Sequence, residues 1–152
     1  MSELQFPFTF AADPNTDLWK KPPSHDAKNA HPKAPVRPLS KAPLAQFQSA
    51  SVSFTCPYTV HVTTLPDADG HVVAGKKSIT VRVERDGVTL WVYWVNGDEK
   101  VALREIAWVY GPDGAGEGWE LEVGALVARP NPEAKDQLVA TFQNLEVAWA
   151  KQ

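Results

Sequence analysis

Apolar and polar residues alternate longest between Ile79 and Tyr110, in ITVRVERDGVTLWVYWVNGDEKVALREIAWVY. A period of two places successive side chains on opposite faces of a strand, so this stretch predicts three strands joined by two turns. Asp86-Gly87 is a strong hairpin signal, because a type I′ turn needs positive φ at both central positions. Closed as a two-residue loop there, the hairpin pairs Val83 with Leu90, Val81 with Val92 and Ile79 with Trp94. Arg82 with Trp91, Thr80 with Tyr93 and Glu84 with Thr89 fall on the opposite face. The second turn contains Asn96-Gly97. A loop of two or four residues gives the same parity, leaving Val101 and Leu103 with Leu90 and Val92, and Ala102 and Arg104 with Trp91 and Tyr93. One face is thus an aliphatic core. The other carries two aromatics and two arginines. The alternation slips between Leu103 and Ile106, which suggests a bulge near Glu105.

The same reading extends outward. Leu4, Phe6, Phe8 and Phe10 alternate and predict an edge strand tolerant of Pro7. Ala50, Val52 and Phe54 alternate with serines, and Tyr58, Val60 and Val62 with Thr59, His61 and Thr63. Trp119 to Ala128 reads as a strand with Leu121, Val123, Ala125 and Val127 on one side. Leu138 to Phe142 and Leu145 to Trp149 form the last strand, bent or bulged near Gln143-Asn144. No segment sustains a helical period. Short strands with regular turn signals predict an all-β fold, an antiparallel jelly-roll-like sandwich.

Proline changes this picture in one place. Eight of the 13 prolines lie in the first 43 residues, and no glycine precedes Gly70. The segment from Pro22 to Pro43 cannot form a helix or a central strand, since proline fixes φ and removes a donor. It reads as an extended arm, spanning about residues 20–45 of a single domain 1–152, laid over the body by Trp19, His25 and Leu39 or left free.

Composition narrows the function classes. The net charge is −3 and the pI near 5.8, with no basic stripe, so nucleic acid is not an expected partner. No apolar run is long enough to span a bilayer, and MSELQFPFTF lacks the basic start and apolar stretch of a signal peptide. The single cysteine, Cys56, permits no internal disulfide and fits a reducing, cytoplasmic setting, with an inert thiol the simpler reading.

Candidate chemistry centres on Arg82, Trp91, Tyr93 and Arg104, with Trp108 at the rim. Aromatic rings stack on sugars and other ring faces, and arginine donates forked hydrogen bonds. The plain structural alternative is a second buried face covered by the proline-rich arm, with Arg82 over Trp91 as a cation–π pair. His25, His31, His61 and His71 have no ligand spacing, and Asp67, Asp69 and Gly70 lack the rest of a calcium loop, so no metal or other cofactor is expected. Glu105 and Asp98 are candidate acids or bases, with surface ion pairing as the ordinary role. No nucleophile elbow, phosphate loop or dinucleotide fingerprint is present.

FTFAADPNTDLWKKPPSHDAKNAHP near the start resembles the opening of the fungal "regulation of enolase" type proteins. ITVRVERDGVTLWVYWVNGDEKVALREIAWVY, WELEVGALVARP and LVATFQNLEVAW resemble the later part of the same family. The resemblance covers roughly residues 4–31 and 77–149. It implies a concanavalin A-like β-sandwich of unsettled function. The family has further strands where this chain has TCPYTVHVTTLPDADGHVVAGKK, so the expectation is either a shortened sandwich that covers its edges by homodimerising or a divergent member in which that segment does a different job. The family supplies no catalytic residues to carry over. The resulting expectation is a non-catalytic binding module for a small ring compound, a saccharide-like ligand or a protein partner. The competing one is a cofactor-independent lyase, isomerase or cyclase using a sandwich cleft.

Overall fold

A computed structural model describes residues 5–16, 36–57, 77–111 and 118–151. Among the described residues eight strands run in chain order: β1 (Phe8–Ala12), β2 (Val36–Pro43), β3 (Phe47–Thr55), β4 (Ile79–Asp86), β5 (Thr89–Asn96), β6 (Glu99–Ile106), β7 (Glu120–Leu126) and β8 (Leu138–Trp149). A single 3-10 turn, Leu44–Gln46, joins β2 to β3. Six strands form one sheet in the order β1-β8-β3-β4-β5-β6, and β2 and β7 form a second. All strand pairs are antiparallel. The chain is an all-β antiparallel sandwich, as the period-two pattern predicts. The strand expected at 58–63, Leu4, Trp19, the four histidines and the Asp67-Asp69-Gly70 turn lie outside the described residues.

The two glycine turns form hairpins, but one step further along than expected. Asp86 pairs with Thr89, so Gly87 and Val88 make the loop; Asn96 pairs with Glu99, so Gly97 and Asp98 make the next. Gly87 and Gly97 have φ of 57° and 60°. Glycine at the first central position is the signature of a type II′ turn, which needs only one residue at positive φ. The pairing therefore slides by two residues. Val83 faces Val92 and Val81 faces Trp94. A slide of two conserves the faces because the side-chain period is also two.

The inner face of the large sheet carries Ile79, Val81 and Val83, the β5 residues Leu90, Val92 and Trp94, and the β3 residues Ala50, Val52 and Phe54. Ile79 and Leu90 are buried, while Val81, Val83, Val92, Trp94 and Val101 are half-buried. The best-packed core lies at the other end of the sheet. There Phe8, Ala12, Ala140 and Phe142 meet Ala125 of β7 and Val127 just beyond it, with Leu39 against them. Phe142 lies near Phe8, Phe10 and Phe54, with ring centroids 5.1, 6.2 and 5.9 Å away.

The described end of the proline-rich arm is β2. It pairs with β7 from Val36 to Pro43, with the register shifting at Leu39. Within the described residues β2 pairs only with β7, which makes it an edge strand that accommodates Pro38 and Pro43. Gly124 opposes Pro38, and a Cβ there would stand 2.8 Å from the Arg37 carbonyl oxygen. Trp149 Nε1 donates to Ser40 Oγ at 2.9 Å, linking the two sheets. In β8 the bulge falls at Gln143, between the Ser53–Asn144 and Phe54–Phe142 pairs, where the expected bend lies.

Candidate functional site

Arg82 and Glu84 alternate with inner-face valines on β4, and Trp91 and Tyr93 do the same on β5. The observed register sets Arg82 opposite Tyr93 and Glu84 opposite Trp91. Side by side on the outer face, the Trp91 and Tyr93 rings have centroids 6.5 Å apart and planes inclined by 27°. All four residues are half-buried. Arg82 Nε donates to Glu84 Oε1 at 2.6 Å, and Arg82 Nη2 donates to Ser49 Oγ at 3.4 Å. Lys100 reaches across β5 from β6 and donates to Glu84 Oε2 at 2.8 Å. Its ammonium stands 4.8 Å from the centre of the Tyr93 ring, so the cation–π contact here belongs to Lys100.

This network defines the chemistry of the face. The Lys100 hydrogen bond, with Arg82 adding to it, holds the Glu84 carboxyl below its ordinary range against the opposing effect of burial. Glu84 is therefore a carboxylate at neutral pH with both oxygens occupied, a fixed acceptor rather than a proton donor. Further along the same face, beyond Arg82, Ser53 and Thr80 share a 2.7 Å hydrogen bond. The result is a shallow aromatic strip edged by hydroxyls and a clamped ion triad.

Arg104 does not join this strip. β6 carries an extra residue at Leu103, so Tyr93 pairs with Ala102, Val92 with Arg104, and Trp91 with Glu105. The bulge hinted at by the broken alternation is real, and it exchanges Arg104 for Glu105 on the aromatic face. Leu103, expected in the core, is 36% exposed. Trp108 lies beyond β6 and is 64% exposed, in a turn closed by Gly111 N donating to the Trp108 carbonyl at 3.2 Å.

Two residues not singled out in the sequence hold that end together. Arg85 occupies the inner row opposite Leu90. Its guanidinium carbon lies 4.0 Å from the Tyr110 ring centre, and Nη1 donates to the Ala45 carbonyl at 2.7 Å. Tyr110 Oη donates to the Leu44 carbonyl at 3.1 Å, and burial pushes the phenol pKa up. An arginine in an apolar row, two residues from a glycine turn, is the only signal the sequence offers for this latch.

Between the sheets lies a cleft of about 400 Å³. Val52, Phe54, Val81, Ala140, Phe142 and Leu145 line it from the large sheet, and residues 124–128 from the other side. Among the described lining residues Cys56 alone has a titratable side chain, and desolvation raises its pKa. A thiol kept protonated is a poor nucleophile. Among the described residues no three His, Cys, Asp or Glu side chains are grouped to hold a metal ion. No helix among them is long and apolar enough to cross a membrane.

No family model matches the chain. It is similar to an uncharacterised protein, AN7484, of Emericella nidulans, at 27% identity over 177 positions, covering 91% of this chain and 84% of that one. The aligned span exceeds the 152 residues of this chain, so the relative carries extra residues inside it.

Proposed function

We propose that this protein is a non-catalytic binding module of the concanavalin A-like group, and that its outer aromatic strip takes a saccharide-like or other ring compound. The observation behind this reading is the Trp91–Tyr93 pair, whose nearly parallel rings lie beside hydrogen-bonding groups already held in position. Ring faces supply apolar contact to the flat side of a ligand, and the bracketing polar groups meet its hydroxyls. Arg82, Trp91, Tyr93 and Lys100 form the site. Arg104 and Trp108 are left outside it by the bulge and by the turn beyond β6. Catalysis has less support, since the described lining of the cleft offers no pair of acid and base groups.

A glycan array probed with the intact chain, followed by calorimetric titration of the strongest hit, tests the proposal. Trp91→Ala should weaken that binding by about 1–3 kcal/mol if the ring is a central anchor. Unchanged affinity in a folded Trp91→Ala variant removes this face from consideration. A lower melting temperature with no binding defect assigns it a structural role.

The edges of the large sheet weigh against an edge-paired homodimer. β6 carries Glu99, Lys100, Arg104 and Glu105 and a bulge, and β1 is five residues long and follows Pro7. Short, charged or bulged edges resist pairing with a second copy. Sedimentation at micromolar concentration should give a 16.7 kDa monomer.

A further inference from the structure

We propose that the ligand of the outer strip is a cationic saccharide, an amino sugar whose free ammonium group is held at Glu105 while its ring lies on Trp91. The proposal rests on the reading of the strip as a sugar site and names the chemical class that the site takes. Its origin is the bulge in β6. Without the extra residue at Leu103, the alternation would run from Ala102 to Arg104 and set a guanidinium beside the aromatic rings. With it, Trp91 pairs with Glu105, and Arg104 pairs instead with Val92 of the inner row. One added residue therefore puts a carboxylate where parity alone would put a cation.

Across the sheet, the row through Trp91 runs Ser49, Glu84, Trp91, Glu105 from β3 to β6. Direct neighbours on one face have Cβ atoms about 4.5–5.5 Å apart, so a carboxylate flanks the indole on each side. The two are not equivalent. Glu84 Oε1 accepts from Arg82 Nε at 2.6 Å, and Oε2 accepts from Lys100 Nζ at 2.8 Å. Glu105 is exposed, and among the described residues no ion pair engages its carboxylate. The same triad engages both cations of the strip, and Lys100 lies over the Tyr93 ring. The strip is thus polarised: its Tyr93 end is basic and its Trp91 end, toward β6, is acidic. An ammonium on a sugar ring stacked over Trp91 gains twice. It lies within the roughly 6 Å over which an indole face attracts a cation, and it donates a charge-assisted hydrogen bond to Glu105. A neutral sugar gains neither contact. An acidic sugar there meets the Glu105 carboxylate, while the nearby cations are already held by Glu84.

Calorimetric titration of the intact chain with three β-1,4-linked tetrasaccharides tests this. They differ only at C2, being built of glucosamine, N-acetylglucosamine or glucose, and the comparison is made near pH 6, where an exposed carboxylate is ionised. The glucosamine tetramer should bind about tenfold more tightly than the other two, the combined effect of an exposed ion pair and a cation–π contact. Glu105→Gln should bring the three within about twofold of one another, because the amide carries no charge. Its melting temperature should match that of the parent chain, since the side chain is exposed. Glu99→Gln makes the same change of net charge on the same strand, but alternation sets it on the opposite face from Lys100, and it should keep the preference. Equal affinity of the unaltered chain for all three overturns the amino-sugar proposal and leaves the strip a sugar site. A preference that survives Glu105→Gln, or that Glu99→Gln reduces equally, is a general attraction to an acidic chain and overturns the role of Glu105. If none of the three binds, the proposal fails, and the glycan array alone decides whether the strip takes another ring.

Discussion

The large sheet carries an aromatic group on each of its faces. On the inner face, Phe8, Phe10, Phe54 and Phe142 pack together beneath the small sheet, with Phe8 and Phe142 buried. On the outer face, Trp91 and Tyr93 lie half-buried among Arg82, Glu84 and Lys100. Both groups arise from the same alternation. Their difference is what lies above them: Leu39 of β2, Ala125 of β7 and Val127 just past it lie over the phenylalanines, while ions and hydroxyls edge the tryptophan and tyrosine. A ring covered by apolar neighbours contributes to stability. A ring left accessible beside fixed polar groups is free to take part in the proposed recognition.

The largest expected effect comes from breaking the inner group. Phe142→Ala should lower the unfolding free energy by about 3–5 kcal/mol, measured by denaturant titration, because it removes the ring shared by three others. A loss comparable to that of Trp91→Ala, expected near 1 kcal/mol, would mean that the two faces are energetically alike.

Removing the cover is the next test. Gly124→Ala places a Cβ 2.8 Å from the Arg37 carbonyl oxygen, so β2 and β7 must part. The expected cost is about 1–3 kcal/mol, with faster amide exchange in residues 36–43 and no change in Trp91 fluorescence. Altered Trp91 fluorescence would show that the outer strip depends on the small sheet.

The smallest effect sharpens the outer face. Glu84 has a folded-state pKa lowered by Lys100 and Arg82. Its contribution is present above the unfolded value of about 4.3 and is lost as pH falls through the lower folded value. Glu84→Gln should therefore flatten the acid side of the stability profile and cost less than about 1 kcal/mol at neutral pH. An unchanged acid limb would mean that the triad does not persist in solution.

Much of this architecture was legible in the chain. Period-two alternation and two glycine turns determine the strands from 79 to 106 and the faces of Val81, Val92, Trp91 and Tyr93, because those faces depend only on parity. The turn at Gly87 slid the register by two residues and left every face unchanged, which is why an incorrect pairing still assigned the core correctly. A slide of one does the opposite: the extra residue at Leu103 exposed a predicted core leucine and moved Arg104 away from the aromatic strip. The broken alternation announced a bulge without locating it, since several placements fit the same letters.

What only the tertiary structure decided is which distant segments meet. Arg85 reads as a surface charge until Tyr110 and Ala45 are brought to it, and Arg129 as a strand-end cation until Thr16 pins its backbone. The cleft has no sequence signature, because a void is a property of two facing walls and each wall alone reads as ordinary small apolar residues. Local pattern determines direction, up or down from a sheet. Burial, pairing and empty space are set by what the rest of the chain places opposite.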